Sequence, residues 1–266
     1  MPKVKVSDIE MYYESIGEGD PVVLVTGYGA DLLAWALQAP ELSQSYKVYM
    51  IDNRGVGDTD KPDGPYTIKM MAGDVAGFFD AVGIERAHLV GHSMGGMIAQ
   101  RFALDYPEKL RSLTLASTTC RPPKGSELML MLWTDIVEKL GSEAFVNNVI
   151  AWCFTHDFID KQYDALLMMR QMMLAHFAEK PLLPGPFRSQ CAAITSFDVS
   201  DEIESIKVPT MVLVGREDIL TPPKFSEKIA SRIPGSTLNV IDGGHAYNQE
   251  VPSAFNHALL EFFEKH

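Results

Sequence analysis

Short apolar runs alternate along this chain with longer segments in which apolar residues recur every three or four positions. The short runs predict β-strands, and the longer periodic segments predict amphipathic helices. Such an alternation is typical of an α/β fold, a mostly parallel sheet with helices on both faces. The predicted strands are residues 9–15, 21–26, 47–52, 87–90, 111–116, 211–214 and 238–241, the first two forming an antiparallel opening and the others running parallel.

The same periodicity predicts three helices around this sheet. Residues 68–82 place Met71, Val75 and Phe78 on one face. A second helix covers residues 94–106 and is ended by Pro107, because a proline cannot continue the helix. A third helix, residues 254–264, closes the chain.

The alternation breaks between residues 119 and 196. Helical patterns there cover 127–140, 142–154 and 160–177, and the breaker-rich stretch 181–186 follows. We predict a helical lid over residues 119–196, inserted into a core built from residues 1–118 and 197–266.

The predicted lid holds six of the chain's 14 methionines, at positions 129, 131, 168, 169, 172 and 173. Methionine is flexible and polarisable, so it suits a pocket for an apolar group. Packing between the lid helices is the alternative role for any one of these residues. The candidate pocket residues are Met129, Trp133, Trp152 and Phe154.

A serine stands between two glycines in the stretch 91–95, directly after a predicted strand and before a predicted helix. In this context Gly91, Ser93 and Gly95 predict a nucleophile elbow, a sharp turn that exposes the serine hydroxyl at the edge of the sheet. A helix N-cap is the alternative role for an isolated serine. The first amides of the following helix are free to bind an anion.

A nucleophilic serine needs a base, and the base needs a carboxylate that orients it. Two later strands end in suitable residues: strand 211–214 is followed by Asp218, and strand 238–241 is followed by His245. The order serine, acid, histidine along the chain fits this arrangement. Glu217 and Asp242 are rival acids whose positions in their turns fit less well. We predict the catalytic residues Ser93, Asp218 and His245.

The motifs together resemble the α/β-hydrolase superfamily, in particular its small carboxylesterase and enol-lactonase branch. Residues 21–29 resemble the third strand and oxyanion loop, with Thr26 in place of the usual histidine, and residues 52–60 resemble the D-x-R-G-x-G-x-S segment. The resemblance implies eight strands, a lid after the sixth, and an oxyanion hole made by the backbone N–H groups of Tyr28 and Met94. Within residues 52–60, an ion pair is the expected role of Arg54, and binding an anionic substrate is the alternative.

These residues predict a serine hydrolase that cleaves a carboxylic ester through an acyl-enzyme and requires no metal or organic cofactor. Serine at position 93 argues against family members that attack with aspartate. A lactone or enol-lactone hydrolase, a carbon-carbon bond hydrolase and a ligand receptor stay open as alternatives. The expected partner is a small-molecule ester or lactone with an apolar part.

Composition limits the other partners. The net charge is −12, which disfavours nucleic acid and anionic membrane surfaces. Three cysteines without C-x-x-C spacing predict buried free thiols rather than disulfides or a zinc site. The beginning of the chain has no apolar signal region, so we expect a cytoplasmic enzyme without a membrane span. A homodimer stays open, because an apolar lid face and a dimer face look alike in sequence.

Overall fold

The protein, described for residues 3–266 by a computed structural model, is organised around one eight-stranded sheet. The strands are β1 (Lys3–Val6), β2 (Ile9–Ile16), β3 (Pro21–Val25), β4 (Lys47–Ile51), β5 (Ala87–His92), β6 (Leu110–Ala116), β7 (Thr210–Gly215) and β8 (Thr237–Ile241). They lie in the order β1-β2-β4-β3-β5-β6-β7-β8. The predicted fold class is confirmed: an α/β fold with a mostly parallel sheet.

The neighbours of the third strand differ from the prediction. β2 pairs antiparallel with β1 and β4, but β3 pairs parallel with both β4 and β5. β2 and β3 therefore run in opposite directions, as predicted, but β4 lies between them and β3 belongs to the parallel part of the sheet. The connection through residues 26–46 is long enough to return the chain and lay β4 parallel beside β3.

Helices cover both faces of the sheet. They are α1 (Ala39–Leu42), α2 (Ile68–Val82), α3 (Met94–Asp105), α4 (Lys124–Lys139), α5 (Gly141–Cys153), α6 (His156–Lys161), α7 (Tyr163–Glu179), α8 (Pro184–Thr195), α9 (Pro223–Arg232), α10 (Tyr247–Glu250) and α11 (Pro252–Phe263). Alternate residues of β3 explain the two layers: Val23 and Val25 pack against α2 and α3, whereas Val22 and Leu24 pack on the side of α1 and α11.

Helices α4 to α8 lie between β6 and β7, where the sequence predicts the lid. Two details differ from the prediction. The predicted helix 160–177 is divided at Gln162 into α6 and α7, and α8 begins at Pro184 inside the stretch predicted to break helices. Proline fits the first turn of a helix, because the N–H it lacks would have no partner there. The boundaries of the lid as a functional unit stay a prediction.

Arg54, in the loop after β4, forms a buried ion pair. Its guanidinium donates to both carboxylate oxygens of Asp74, at 2.5 and 2.7 Å, and to Asp8 at 2.9 Å. Arg54 and Asp74 are almost completely buried. The ion pair predicted for Arg54 is confirmed, and both carboxylate oxygens of Asp74 accept from it.

Arg54→Met should lower the free energy of unfolding by about 3–5 kcal/mol, because it leaves the buried Asp74 carboxylate without a counter-ion. Urea denaturation followed by circular dichroism measures this loss. Arg232→Met, which breaks a more exposed pair with Glu204, should leave the midpoint close to that of the wild type. Equal losses in the two variants would contradict the structural role of Arg54.

Candidate active site

Ser93 lies at the turn between β5 and α3 with φ 57° and ψ −119°, a conformation that non-glycine residues rarely adopt. The flanking glycines make the turn sterically possible. A Cβ on Gly91 would lie 2.2 Å from the carbonyl oxygen of Gly95, and a Cβ on Gly95 would lie 2.2 Å from that of Val25. The structure therefore has the strained, tightly packed turn predicted as a nucleophile elbow.

The structure brings Ser93, His245 and Asp218 together. His245 Nε2 lies 3.0 Å from Ser93 Oγ, and His245 Nδ1 lies 2.9 Å from Asp218 Oδ2. A carboxylate accepts only, so Nδ1 carries the proton and Nε2 is left as the acceptor for the serine hydroxyl. The three side chains are thus arranged for proton transfer away from Ser93.

Five donors surround the Asp218 carboxylate. Oδ1 accepts from the backbone N–H groups of Leu220 and Thr221, and Oδ2 accepts from the side chains of Ser117, Thr221 and His245. Burial alone would raise the pKa of Asp218, but the electrostatic attraction and hydrogen bond of His245 and the bonds from Ser117 and Thr221 hold that pKa well below its usual range. Asp218 therefore stays a carboxylate beside the imidazole.

The rival acids lie elsewhere. Glu217 is exposed, and Asp242 is exposed and accepts from the guanidinium of Arg216 at 2.9 Å. Of the three candidates, Asp218 is the one hydrogen-bonded to His245.

Ser117 and Glu250 also support the triad, although the sequence did not single them out. Ser117 follows β6 directly and donates to Asp218 at 2.7 Å. Glu250 accepts from the N–H of Gly244 at 2.9 Å and from the Thr155 hydroxyl at 2.6 Å. It therefore ties the histidine loop to the connection between α5 and α6. Ser117 could have been predicted from the sequence, because it directly follows a strand. No local pattern in the sequence marks Glu250.

His92 holds the backbone of His245. Its Nε2 donates to the carbonyl oxygen of His245 at 3.0 Å, so the ring proton lies on Nε2. Burial, and secondly the nearby His245, lower the pKa of His92 to about 3. The ring is therefore neutral near pH 7, and its bond to the His245 carbonyl gives His92 a structural role.

The two predicted oxyanion donors are the backbone N–H groups of Tyr28 and Met94. Within residues 3–266, neither group donates to a protein acceptor. Thr26 replaces the missing histidine as an anchor of the loop, because its hydroxyl donates to the carbonyl oxygen of Ala30 at 2.9 Å. Asn53 adds a bond from its side-chain amide to the carbonyl oxygen of Thr26 at 3.0 Å. The loop is thus anchored without the histidine.

An apolar cluster formed by the helices between β6 and β7 packs against the Tyr28 side chain. Trp133 and Phe154 are buried in this cluster, and Met129 is partly buried against it. Trp133 lies nearly parallel to the Tyr28 ring, with 6.3 Å between centroids. Trp152 is 39% exposed and lies outside the cluster. Three of the four candidate pocket residues therefore belong to this cluster or pack against it, and Trp152 does not.

Two further observations concern metals and membranes. Residues 3–266 contain no group of three or more His, Cys, Asp or Glu side chains placed to hold a metal ion. None of the helices in this part of the chain is both long enough and apolar enough to span a bilayer. The cysteines at 120, 153 and 191 are buried free thiols, as predicted.

Comparison with known proteins gives three kinds of match. A family model described as alpha/beta hydrolase fold matches residues 20–250. A relative from Azorhizobium caulinodans with the provisional name carbamate hydrolase RutD is 31% identical over 265 residues, covering 98% of each chain. The crystal structure of the enol-lactonase from Burkholderia xenovorans LB400 has a TM-score of 0.90 and 29% identity, covering 99% of this chain and 100% of that one. A thermophilic esterase from Thermogutta terrifontis has a TM-score of 0.88 and 29% identity, covering 99% and 98%.

Proposed function

We propose that this chain, which belongs to the α/β-hydrolase family, is a serine hydrolase that cleaves a neutral carboxylic ester through an acyl-enzyme. The observation that carries the proposal is the continuous hydrogen-bonded chain from Ser93 through His245 to Asp218, at 3.0 and 2.9 Å. Names of relatives add support for hydrolysis, since they include an enol-lactonase and an esterase.

The mechanism follows from the protonation states of these residues. Ser93 attacks the ester carbonyl while His245 Nε2 accepts its proton, and Asp218 stabilises the imidazolium. The oxyanion binds between the N–H groups of Tyr28 and Met94, each of which contributes about 3 to 4 kcal/mol to lowering the barrier. His245 then protonates the leaving alcohol. A water activated by the same imidazole releases the acid and regenerates Ser93.

The charges near the apolar cluster beside Tyr28 favour a neutral substrate. Arg54 is the only lysine or arginine in residues 3–266 that is buried, and its guanidinium is paired with Asp74 and Asp8. In the lid, Arg170 and Lys180 are paired with Glu143 and Asp58. A carboxylate on the substrate would therefore enter an apolar site with no free buried cation, and an unpaired buried charge is costly.

We expect kcat/KM for p-nitrophenyl butyrate to exceed that for p-nitrophenyl hemisuccinate by about 100-fold or more, since the second ester must desolvate a carboxylate. Initial rates of nitrophenol release measure the ratio, and Ser93→Ala corrects for background hydrolysis. Comparable values for the two esters would contradict the neutral substrate.

A lactone hydrolase is the second candidate, favoured by the TM-score of 0.90 with the enol-lactonase. It uses the same steps, except that the leaving alcohol stays tethered to the acyl group. Rates on a simple lactone and on the p-nitrophenyl ester distinguish the two substrates. If the wild type, although folded, hydrolyses neither compound, the proposed function is wrong.

A further inference from the structure

Helix α8 packs directly against the oxyanion loop. The Phe187 ring stacks on the Tyr28 ring with 4.1 Å between centroids. Gly29 has φ +67°, and a Cβ there would lie 2.4 Å from Phe187 Cε2, so the approach requires glycine. The loop that carries the Tyr28 amide is therefore covered by a helix that the sequence assigned to the lid.

Gln190, on the same helix, is completely buried and bonds to the core at both ends of its side-chain amide. Its Oε1 accepts from the N–H of Gly29 at 3.0 Å, and its Nε2 donates to the carbonyl oxygen of Arg54 at 2.9 Å. These partners fix the orientation of the amide, because an N–H can only donate and a carbonyl can only accept. Gln190 thus joins α8, the oxyanion loop and the loop after β4.

We propose that Gln190 is a positioning residue that sets the oxyanion hole, an inference that rests on the proposed function. The Tyr28 amide lies between two anchored points, the Thr26 hydroxyl bond on one side and the Gly29–Gln190 bond on the other. Without Gln190, the buried Gly29 N–H loses its acceptor, and the loop must shift to find another. A small shift of an oxyanion donor weakens its bond to the transition state more than to the substrate.

One consequence concerns the lid. Because Gln190 and Phe187 hold the oxyanion loop, α8 is a fixed wall of the catalytic core.

Gln190→Met keeps the length and volume of the side chain and removes both hydrogen bonds. We expect kcat to fall by about 10- to 100-fold while KM changes by less than about threefold, because the lost interaction acts in the transition state. Affinity for a trifluoromethyl ketone, whose adduct with Ser93 places an oxyanion in the hole, should fall by a similar factor. Gln190→Glu keeps an acceptor for Gly29 and should recover part of the loss.

Gln38→Met is the matched control. Gln38 is also completely buried, and its Nε2 donates to the carbonyl oxygen of Asn248 at 2.7 Å, away from the oxyanion loop. This variant should lose stability but keep its kcat within about twofold of the wild type. If Gln190→Met keeps the wild-type kcat, or if both variants slow equally, Gln190 does not position the hole.

Hydrogen exchange tests the contact without using activity. Amide exchange in a peptide covering residues 27–31 should accelerate in Gln190→Met and stay unchanged in Gln38→Met. Unchanged protection in Gln190→Met would overturn the inference even if ester hydrolysis is confirmed. Conversely, if exchange is faster in Gln190→Met but the wild type hydrolyses no ester or lactone, the proposed function is wrong, and Gln190 then positions the loop without positioning an oxyanion hole.

Discussion

Ser93→Ala should lower kcat for p-nitrophenyl butyrate by about 10⁵- to 10⁶-fold, the loss expected when the nucleophile of a triad that acts as a unit is removed. The hydroxyl lies 3.0 Å from His245 Nε2, and the substitution deletes only that oxygen. Residual rates above uncatalysed hydrolysis would come from the amides of Tyr28 and Met94. Steady-state kinetics measure the loss. A fluorophosphonate should label the peptide containing Ser93 in the wild type and leave the variant unlabelled.

Ser93→Gly provides a matched comparison for this expectation. Both substitutions remove the nucleophile, but only glycine relieves the strain at φ 57° and ψ −119°. Ser93→Gly should therefore be more stable than Ser93→Ala by about 1–3 kcal/mol, while both are inactive. An active Ser93→Ala enzyme, within about tenfold of the wild type, would show that another residue attacks the substrate.

The sequence could predict that Ser93, Asp218 and His245 come together, because each of them carries a local signal. Ser93 has its flanking glycines, and Asp218 and His245 each follow an apolar strand. Parallel strands end at one edge of the sheet, so residues far apart in the chain are brought together there. The fold class could be predicted for the same reason, since strands and helices of distinct period alternate along the chain.

Other features depend on contacts that leave no local pattern. The sequence does not show that β4 lies between β2 and β3, because a short apolar run looks the same whichever strand it pairs with. Gln190 bonds to Gly29 across 161 positions of sequence, from a helix that begins at a proline. Periodicity does not show whether a single polar residue on such a helix is buried or exposed. The bonds of Gln190 to Gly29 and Arg54 are a property of the folded chain and not of the local sequence.

Asp218→Asn should lower kcat by about 10⁴-fold with little change in fold, because it inverts the tautomer of His245. The side-chain oxygen of the new asparagine must take the place of Oδ1, because the N–H groups of Leu220 and Thr221 donate there and need an acceptor. The amide nitrogen must therefore occupy the Oδ2 position and face His245 Nδ1. Nδ1 then has to accept, the ring proton moves to Nε2, and Nε2 can no longer take the proton of Ser93.

The same variant should change how stability depends on pH. The pKa of Asp218 in the folded protein lies below its ordinary value of 3.8, so the unfolded chain binds more protons in acid. The carboxylate therefore contributes stability that is present above that ordinary value and is lost as the pH falls toward the lowered one. Between about pH 5 and about pH 3, the free energy of unfolding should fall less in Asp218→Asn than in the wild type, measured by urea denaturation. Near-normal kcat together with an unchanged acid slope would mean that Asp218 does not orient His245, and the acid of the triad would have to be sought elsewhere.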